Sequence, residues 1–202
     1  MIYLYGAGGH AKVIADILER CGQPIGGFFD QDNSKKIWNY PGYLFPGPFD
    51  FLDDELIISI GDNTIRKKIA EGNNAKYFTA IHPGSIISSH SFIGKGSVVM
   101  GGVLINADTA IGNHCIINTN SSIDHDCSID NFVHISPNAT LCGGISVGEG
   151  VHIGAGAIIL PGKKIGNNSI IGAGSVVNID VCDNVVAVGN PVRIIKKING
   201  KI

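Results

Sequence analysis

The chain has 202 residues, enough for one large domain or two small ones and too few for a long multidomain machine. Its 28 Gly, 44% hydrophobic and 16% charged residues, with a formal net charge of −2, exclude disorder, collagen and an electrostatic footprint for nucleic acid or an anionic membrane. Five cysteines without a CxxC pair argue against a disulfide framework or a zinc ribbon, and no apolar run or basic leader marks a membrane span or signal peptide, so a cytoplasmic protein is expected.

Residues 1–80 read as alternating strand and helix. Residues 2–5 form a short apolar strand, Gly6-Ala7-Gly8-Gly9-His10-Ala11 turns, residues 12–21 are helical, and residues 26–29 form a second strand ending at Asp30. The turn fits G-x-G-x-x-G/A after a strand and before a helix, with an acid downstream at Asp30. Glycines let the backbone approach a phosphate, and a helix N-terminus supplies free N–H groups. A tight strand-to-helix turn needs glycine whether or not anything binds. Residues 56–61 continue as a buried strand, 63–72 as a helix and 76–79 as a last strand. This is one mononucleotide-binding half, which favours a nucleotide or nucleotide-linked substrate over NAD. His10 and Lys12 sit at the phosphate end of the turn.

From residue 81 the pattern changes. Every sixth residue from Ile81 to Val177 is Ile, Val or Leu, and four places after each stands a mostly small or β-branched residue, with Lys163 as the exception. A period of six is neither 2 nor 3.6; it is the hexapeptide signature of a parallel β-helix. The repeat resembles the left-handed β-helix of hexapeptide acyltransferases, in which three hexads make one triangular coil of 18 residues. The phase is expected to hold from 81 to 182. Val98, Ile116, His134, His152 and Ile170 then form one outward column, and such an apolar stripe suggests a subunit interface.

Six of the seven histidines lie in this region. In Ile123-Asp124-His125-Asp126-Cys127, a carboxylate beside the imidazole can orient it and raise its basicity, as a general base requires. Asp124 and Asp126 are equally the residues that a turn tolerates. His134 and His152 suit interface hydrogen bonding. His134 stands half a coil from His125, so the two are expected to share a site only across a subunit boundary. Cys115 and Cys127 read as core. The tail from Val188-Gly189-Asn190-Pro191 through Arg193 is either a solvated end or a contact to cofactor phosphates.

Taken together, Gly6-Ala7-Gly8-Gly9-His10, Phe29-Asp30, Ile60-Gly61-Asp62-Asn63 with Ile65-Arg66-Lys67-Lys68, His125-Asp126-Cys127, His134 and Gly189-Asn190-Pro191 resemble the NeuD/PglD family of bacterial sugar acetyltransferases. The resemblance implies a Rossmann-like α/β domain (1–80) that binds a nucleotide sugar and a left-handed β-helix (81–202) that binds acetyl-CoA. It also implies a homotrimer, with no metal, and N-acetylation of a UDP- or GDP-linked 4-amino-4,6-dideoxy sugar for surface glycans; sialic acid O-acetylation is the family's other activity. Carried over by position, His125 matches the general base, Asp126 its acid partner, and Asn118 a polar group near the reacting centre. Gly8, Gly9 and His10, with Lys12, match the phosphate turn; Asp30 and Gln31 the base or ribose region; Gly61 a further substrate contact. His134, Ala155, Ala173 and Arg193 match acetyl-CoA contacts. The chain has Asp126 where Glu is expected, a shorter carboxylate that should reach the imidazole less well, and Gln31 where a second acid is expected. Two other classes remain: a β-helical zinc enzyme using His114, His125, His134 and His152, and a non-catalytic nucleotide-sugar scaffold.

Overall fold

The computed structural model describes residues 1–47, 49, 50 and 52–198. Strands β1 (Ile2–Tyr5), β2 (Ile25–Phe29), β3 (Gly42–Tyr43), β4 (Glu55–Ile58) and β5 (Lys76–Tyr77) form one parallel sheet in the order β3-β2-β1-β4-β5. Helices α1 (Gly9–Arg20) and α2 (Asn63–Glu71) connect them. Central β1 is buried at Ile2, Tyr3 and Leu4, as a strand covered on both faces must be. Helix α1 buries Ala11, Ile14, Ala15, Ile17 and Leu18, the stripe a 3.6-residue period creates. The helix begins at Gly9, three residues before the expected start, and strand β3 was not foreseen. Its two residues lie between Pro41 and Pro46, where no periodicity can show.

The hexads become seventeen two-residue strands, β6 (Ala80–Ile81) to β22 (Val176–Val177), each with its repeat aliphatic in second place. Strands three apart pair in parallel at an 18-residue step, as Leu104 with Ser122 and Ile105 with Ile123. Three sheets result, the walls of a triangular prism. The repeat aliphatics fill the interior, with Ile105, Ile111, Ile117, Ile123 and Ile135 all buried.

The small residue four places on fills the corner, and its chemistry is specific. Ser97 Oγ donates to the Gly112 carbonyl at 2.9 Å and accepts from the Cys115 N–H at 2.9 Å. Thr109 Oγ1 repeats this with the Asp124 carbonyl and the Cys127 N–H. A hydroxyl here satisfies backbone groups that the bend would otherwise leave buried and unpaired. The third residue after each inward aliphatic has a left-handed φ in every hexad from Gly96 to Gly174, Asp126 (59°) included. Glycine, Asn and Asp therefore recur at this position because other side chains strain there.

Two expectations are corrected. The phase holds only to Val177: Val181 pairs with Ile165 and Val186 with Ile170, both at a 16-residue step, so the last coil is two residues shorter. Strands β23 (Val185–Val188) and β24 (Arg193–Lys197) then close it as an antiparallel hairpin. The outward stripe is not a free surface. Val98 and Ile116 are each only 1% exposed and share a core with Ile14, Leu18 and Phe28 of the N-terminal sheet and helix. The stripe is covered within the chain by α1; only Ile170 at its far end is exposed.

Candidate active site

The glycine turn opens between β1 and α1. Gly6 needs its residue type twice over: its φ is +105°, and a side-chain carbon would meet Ile60 at 2.8 Å. At Gly8, Gly9 and Gly61, by contrast, a side-chain carbon would meet nothing within 4 Å, so these three border open space. Gly8 caps α1 without a side-chain hydrogen bond and the Ala11 N–H donates to the Gly8 carbonyl, which leaves the N–H groups of Gly9 and His10 available to an anion. Lys12 is exposed on the first turn. Asp30 accepts from the Ala7 N–H at 2.8 Å and from the Asp32 N–H at 2.9 Å, so it braces the turn. Gln31 is exposed and lines, with Tyr5, Phe29, Asp30, Leu44 and Phe45, a cavity of about 260 Å³.

His10 faces the β-helix. Strands β15 (His134–Ile135) and β18 (His152–Ile153) pair directly, so His134 and His152 stack with ring centres 4.7 Å apart. Burial and the neighbouring Arg66 charge push His10 down to about 4. Burial, then the charges of His152, Arg66 and His10, push His134 down to about 3, with only the Gly61 backbone opposing. Both rings are thus neutral at physiological pH. His134 Nε2 lies 3.2 Å from Asn118 Nδ2, which makes Nε2 the acceptor and puts the proton on Nδ1. His10 Nε2 is buried with no hydrogen-bond partner, whereas His134 has the Gly61 backbone against it. His10, His134 and the Gly61 backbone, from separate parts of the chain, thus lie in one electrostatic cluster. Asn118 belongs to this cluster through His134 and makes no hydrogen bond to His125 of its own chain.

His125 stands apart on the corner between β13 (Ser122–Ile123) and β14 (Ser128–Ile129), with 60% of its side chain exposed. Its Nδ1 lies 2.7 Å from Asp126 Oδ2, so the shorter carboxylate does reach the imidazole. The Asp126 hydrogen bond, and then the Asp124 charge, raise its basicity. Asp124 is itself held by Asn106 Nδ2 at 2.7 Å and accepts the His125 N–H. The ring lies over Gly143 on the next coil, where a side-chain carbon would come within 2.7 Å of its Cε1. Nothing among the described residues bonds Nε2. No hydrogen bond or ring contact within the chain joins His125 to His10, Gly61 or His134.

Ala155 and Ala173 are exposed, 18 residues apart on one corner. At the same corner the Thr119 N–H is taken by Asn118 and Pro137 has none. The N–H groups of Ala155 and Ala173 find no protein acceptor among the described residues. Two free donors beside small side chains suit an amide- and phosphate-bearing chain such as that of coenzyme A. Arg193 is exposed on β24, opposite Val188. The four histidines of the zinc reading do not converge: His114 packs between Tyr77 and Phe132, and His125 is remote from the His134–His152 stack.

Arg66 carried no role in the sequence, yet it is 1% exposed and makes five hydrogen bonds. Asn63 Nδ2 donates to the carbonyls of Gly150 and Val151, and Lys67 pairs with Glu149. In the sequence Asn63, Ile65, Arg66, Lys67 and Lys68 carry the family resemblance, which assigns none of them a role.

Residues 1–72 match the PglD N-terminal domain family and residues 144–178 the bacterial transferase hexapeptide repeat. UDP-N-acetylbacillosamine N-acetyltransferase of Bacillus subtilis is 39% identical over 109 residues, 49% of this chain and 50% of that protein. The chain thus spans about half the length of that curated relative. A crystal structure of a variant of perosamine N-acetyltransferase from Caulobacter crescentus, in complex with CoA and GDP-perosamine, superposes with a TM-score of 0.90 and 36% identity, covering 97% of each chain. The acetyltransferase domain of PglB from Neisseria gonorrhoeae, in complex with acetyl coenzyme A, gives 0.90 at 31% identity, over 96% of this chain and 98% of that one. With these two solved structures matched along nearly its whole length, the chain belongs to the family of sugar N-acetyltransferases that join a PglD-type N-terminal domain to a left-handed hexapeptide β-helix.

Proposed function

We propose that the protein transfers acetyl from acetyl-CoA to the 4-amino group of a nucleotide-linked 4-amino-4,6-dideoxy sugar. The observation that carries this is an exposed imidazole, His125, whose Nδ1 is fixed by Asp126 at 2.7 Å and whose Nε2 points to no protein partner. That is the geometry of a general base. The glycine turn at Gly8 and Gly9, with His10, Lys12 and Gly61, takes the diphosphate. Asp30 and Gln31 border the base and ribose. Ala155 and Ala173, with His134 and Arg193, take the acetyl-CoA. The neutral amine attacks the thioester carbonyl as His125 Nε2 accepts its proton; the C–N bond forms, the tetrahedral oxyanion collapses, the C–S bond breaks and the thiol leaves with a proton. Asn118, held against His134, supplies a polar group near the reacting centre.

The separation of His125 from the His10–His134 cluster within one chain supports a homotrimer, in which one protomer supplies His125 and its neighbour the nucleotide-sugar turn. The described residues contain no helix long and apolar enough to cross a membrane. Both substrates are cytoplasmic metabolites, and the reading carries that location with it.

His125→Ala is expected to lower thiol release from acetyl-CoA, with UDP- or GDP-linked 4-amino sugars as acceptors, by about 100-fold or more. Near wild-type turnover would remove His125 from this role.

A further inference from the structure

The family match accounts for the two ligand sites; it does not say what holds them at a fixed separation. Arg66 sits on α2 at the junction of the N-terminal sheet and the β-helix. Its Nη1 donates to the carbonyls of Ile60 at 3.1 Å and Gly61 at 3.2 Å. Its Nε donates to the His114 carbonyl at 2.8 Å, and Nη2 to the Phe132 carbonyl at 2.9 Å and to Asn63 Oδ1 at 2.7 Å. One planar group therefore ties the Ile60–Gly61 peptide to two successive coils. The coil side of this joint is unusual. His114 and Phe132 are large residues with φ of 55° and 59° at the corner position where glycine, Asn and Asp prevail. Their rings stack 5.2 Å apart and nearly parallel, with Tyr77 edge-on to His114 at 4.4 Å. Two strained corners kept by bulky residues indicate that the joint is over-determined by its packing. The Asp62 charge acts on Arg66 without touching it, and all five hydrogen-bond acceptors are neutral oxygens, so the arrangement is not an ion pair that lysine could replace.

We propose that Arg66 is a positioning residue for the transfer reaction: it fixes the Gly61 loop on the β-helix and so sets the nucleotide-binding turn against the donor side of the site. This rests on the functional reading above only for the identity of the two ligands. A lysine could reach some of these carbonyls but could not span all of them, so Arg66→Lys should loosen the loop without emptying the core.

The test is calorimetric titration of the whole protein with UDP, GDP and CoA, alongside Arg66→Lys and Asn63→Ala. Asn63→Ala removes one Arg66 acceptor and the Gly150 and Val151 contacts from a residue that is not buried, and so remains informative if Arg66→Lys does not fold. The expected result is a nucleotide Kd at least tenfold weaker in Arg66→Lys and a few-fold weaker in Asn63→Ala, with the CoA Kd unchanged within twofold. Adding guanidinium ion to Arg66→Ala should recover part of the nucleotide affinity. Unchanged nucleotide binding in the folded variants overturns the proposal, as does an equal loss for nucleotide and CoA, which would mark a purely structural role. Wild-type protein that binds both ligands but transfers no acetyl group would sink the functional reading and leave this one standing; wild-type protein that binds no nucleotide overturns both.

Discussion

His125 illustrates how a residue can satisfy fold and chemistry at once. Asp126 occupies a left-handed corner that favours Asp for backbone reasons alone, and the same corner aims its carboxylate at the imidazole beside it. Adjacency in sequence was enough to pair them, and the shorter carboxylate still reaches the imidazole because the turn brings the two side chains to the same edge. The third partner was not visible. Gly143, 18 residues on, lacks the side chain that would collide with the ring at Cε1 and Nε2. Gly143→Ala is therefore expected to swing the exposed imidazole off Asp126 and to cost at least tenfold in kcat. Its melting temperature should stay within a few degrees of wild type, because what must move is the end of a flexible side chain. Steady-state kinetics beside a thermal melt check this, and unchanged kcat would show that the ring tolerates the displacement.

At the scale of the element, the β-helix was legible because its rule is local. One aliphatic every six residues, a small hydrogen-bonding residue four places later and a left-handed residue between them specify a coil without reference to the rest of the chain. Val177 to Val185 escaped this reading because a coil shortened by two residues still carries valines in plausible places; only pairing shows that Val181 meets Ile165. The corner rule makes a quantitative prediction at Asn138, which is exposed with a φ of 58°. Asn138→Ala should destabilise by about 1 kcal/mol, since a side chain with a Cβ and no local hydrogen bond strains in that region. Asn138→Gly should be close to neutral. Urea unfolding of the pair reads the difference, and equal midpoints would contradict the corner argument.

For the whole molecule, the decisive feature is the surface where α1 and α2 meet the β-helix. It gathers His10, His114, His134, His152 and Arg66, and burial holds all four histidines below their ordinary range, His10 and His114 at about 4 and His134 at about 3. The Arg66 charge adds to each of these shifts. A histidine depressed in the folded state takes up its proton more readily when unfolded, so its contribution is complete above about pH 6.5 and is lost as pH falls towards 4. The protein is expected to melt at a lower temperature at pH 5 than at pH 7.5. His134→Gln should flatten that dependence, because one proton fewer separates the two states. An unaltered slope would show that His134 does not titrate on unfolding.

The sequence by itself determined the period, the corners, the opening βαβ unit and the His125–Asp126 pair, since each is set by residues near one another along the chain or at a fixed repeat. Only the tertiary structure decided what covers the outward stripe, why Arg66 is buried and which histidines share an environment. Those outcomes depend on how one rigid body docks on another. A column such as Val98, Ile116 and His134 says that something apolar must lie against it, and a helix such as α1 says that it has a face to bury; neither says that they belong to each other.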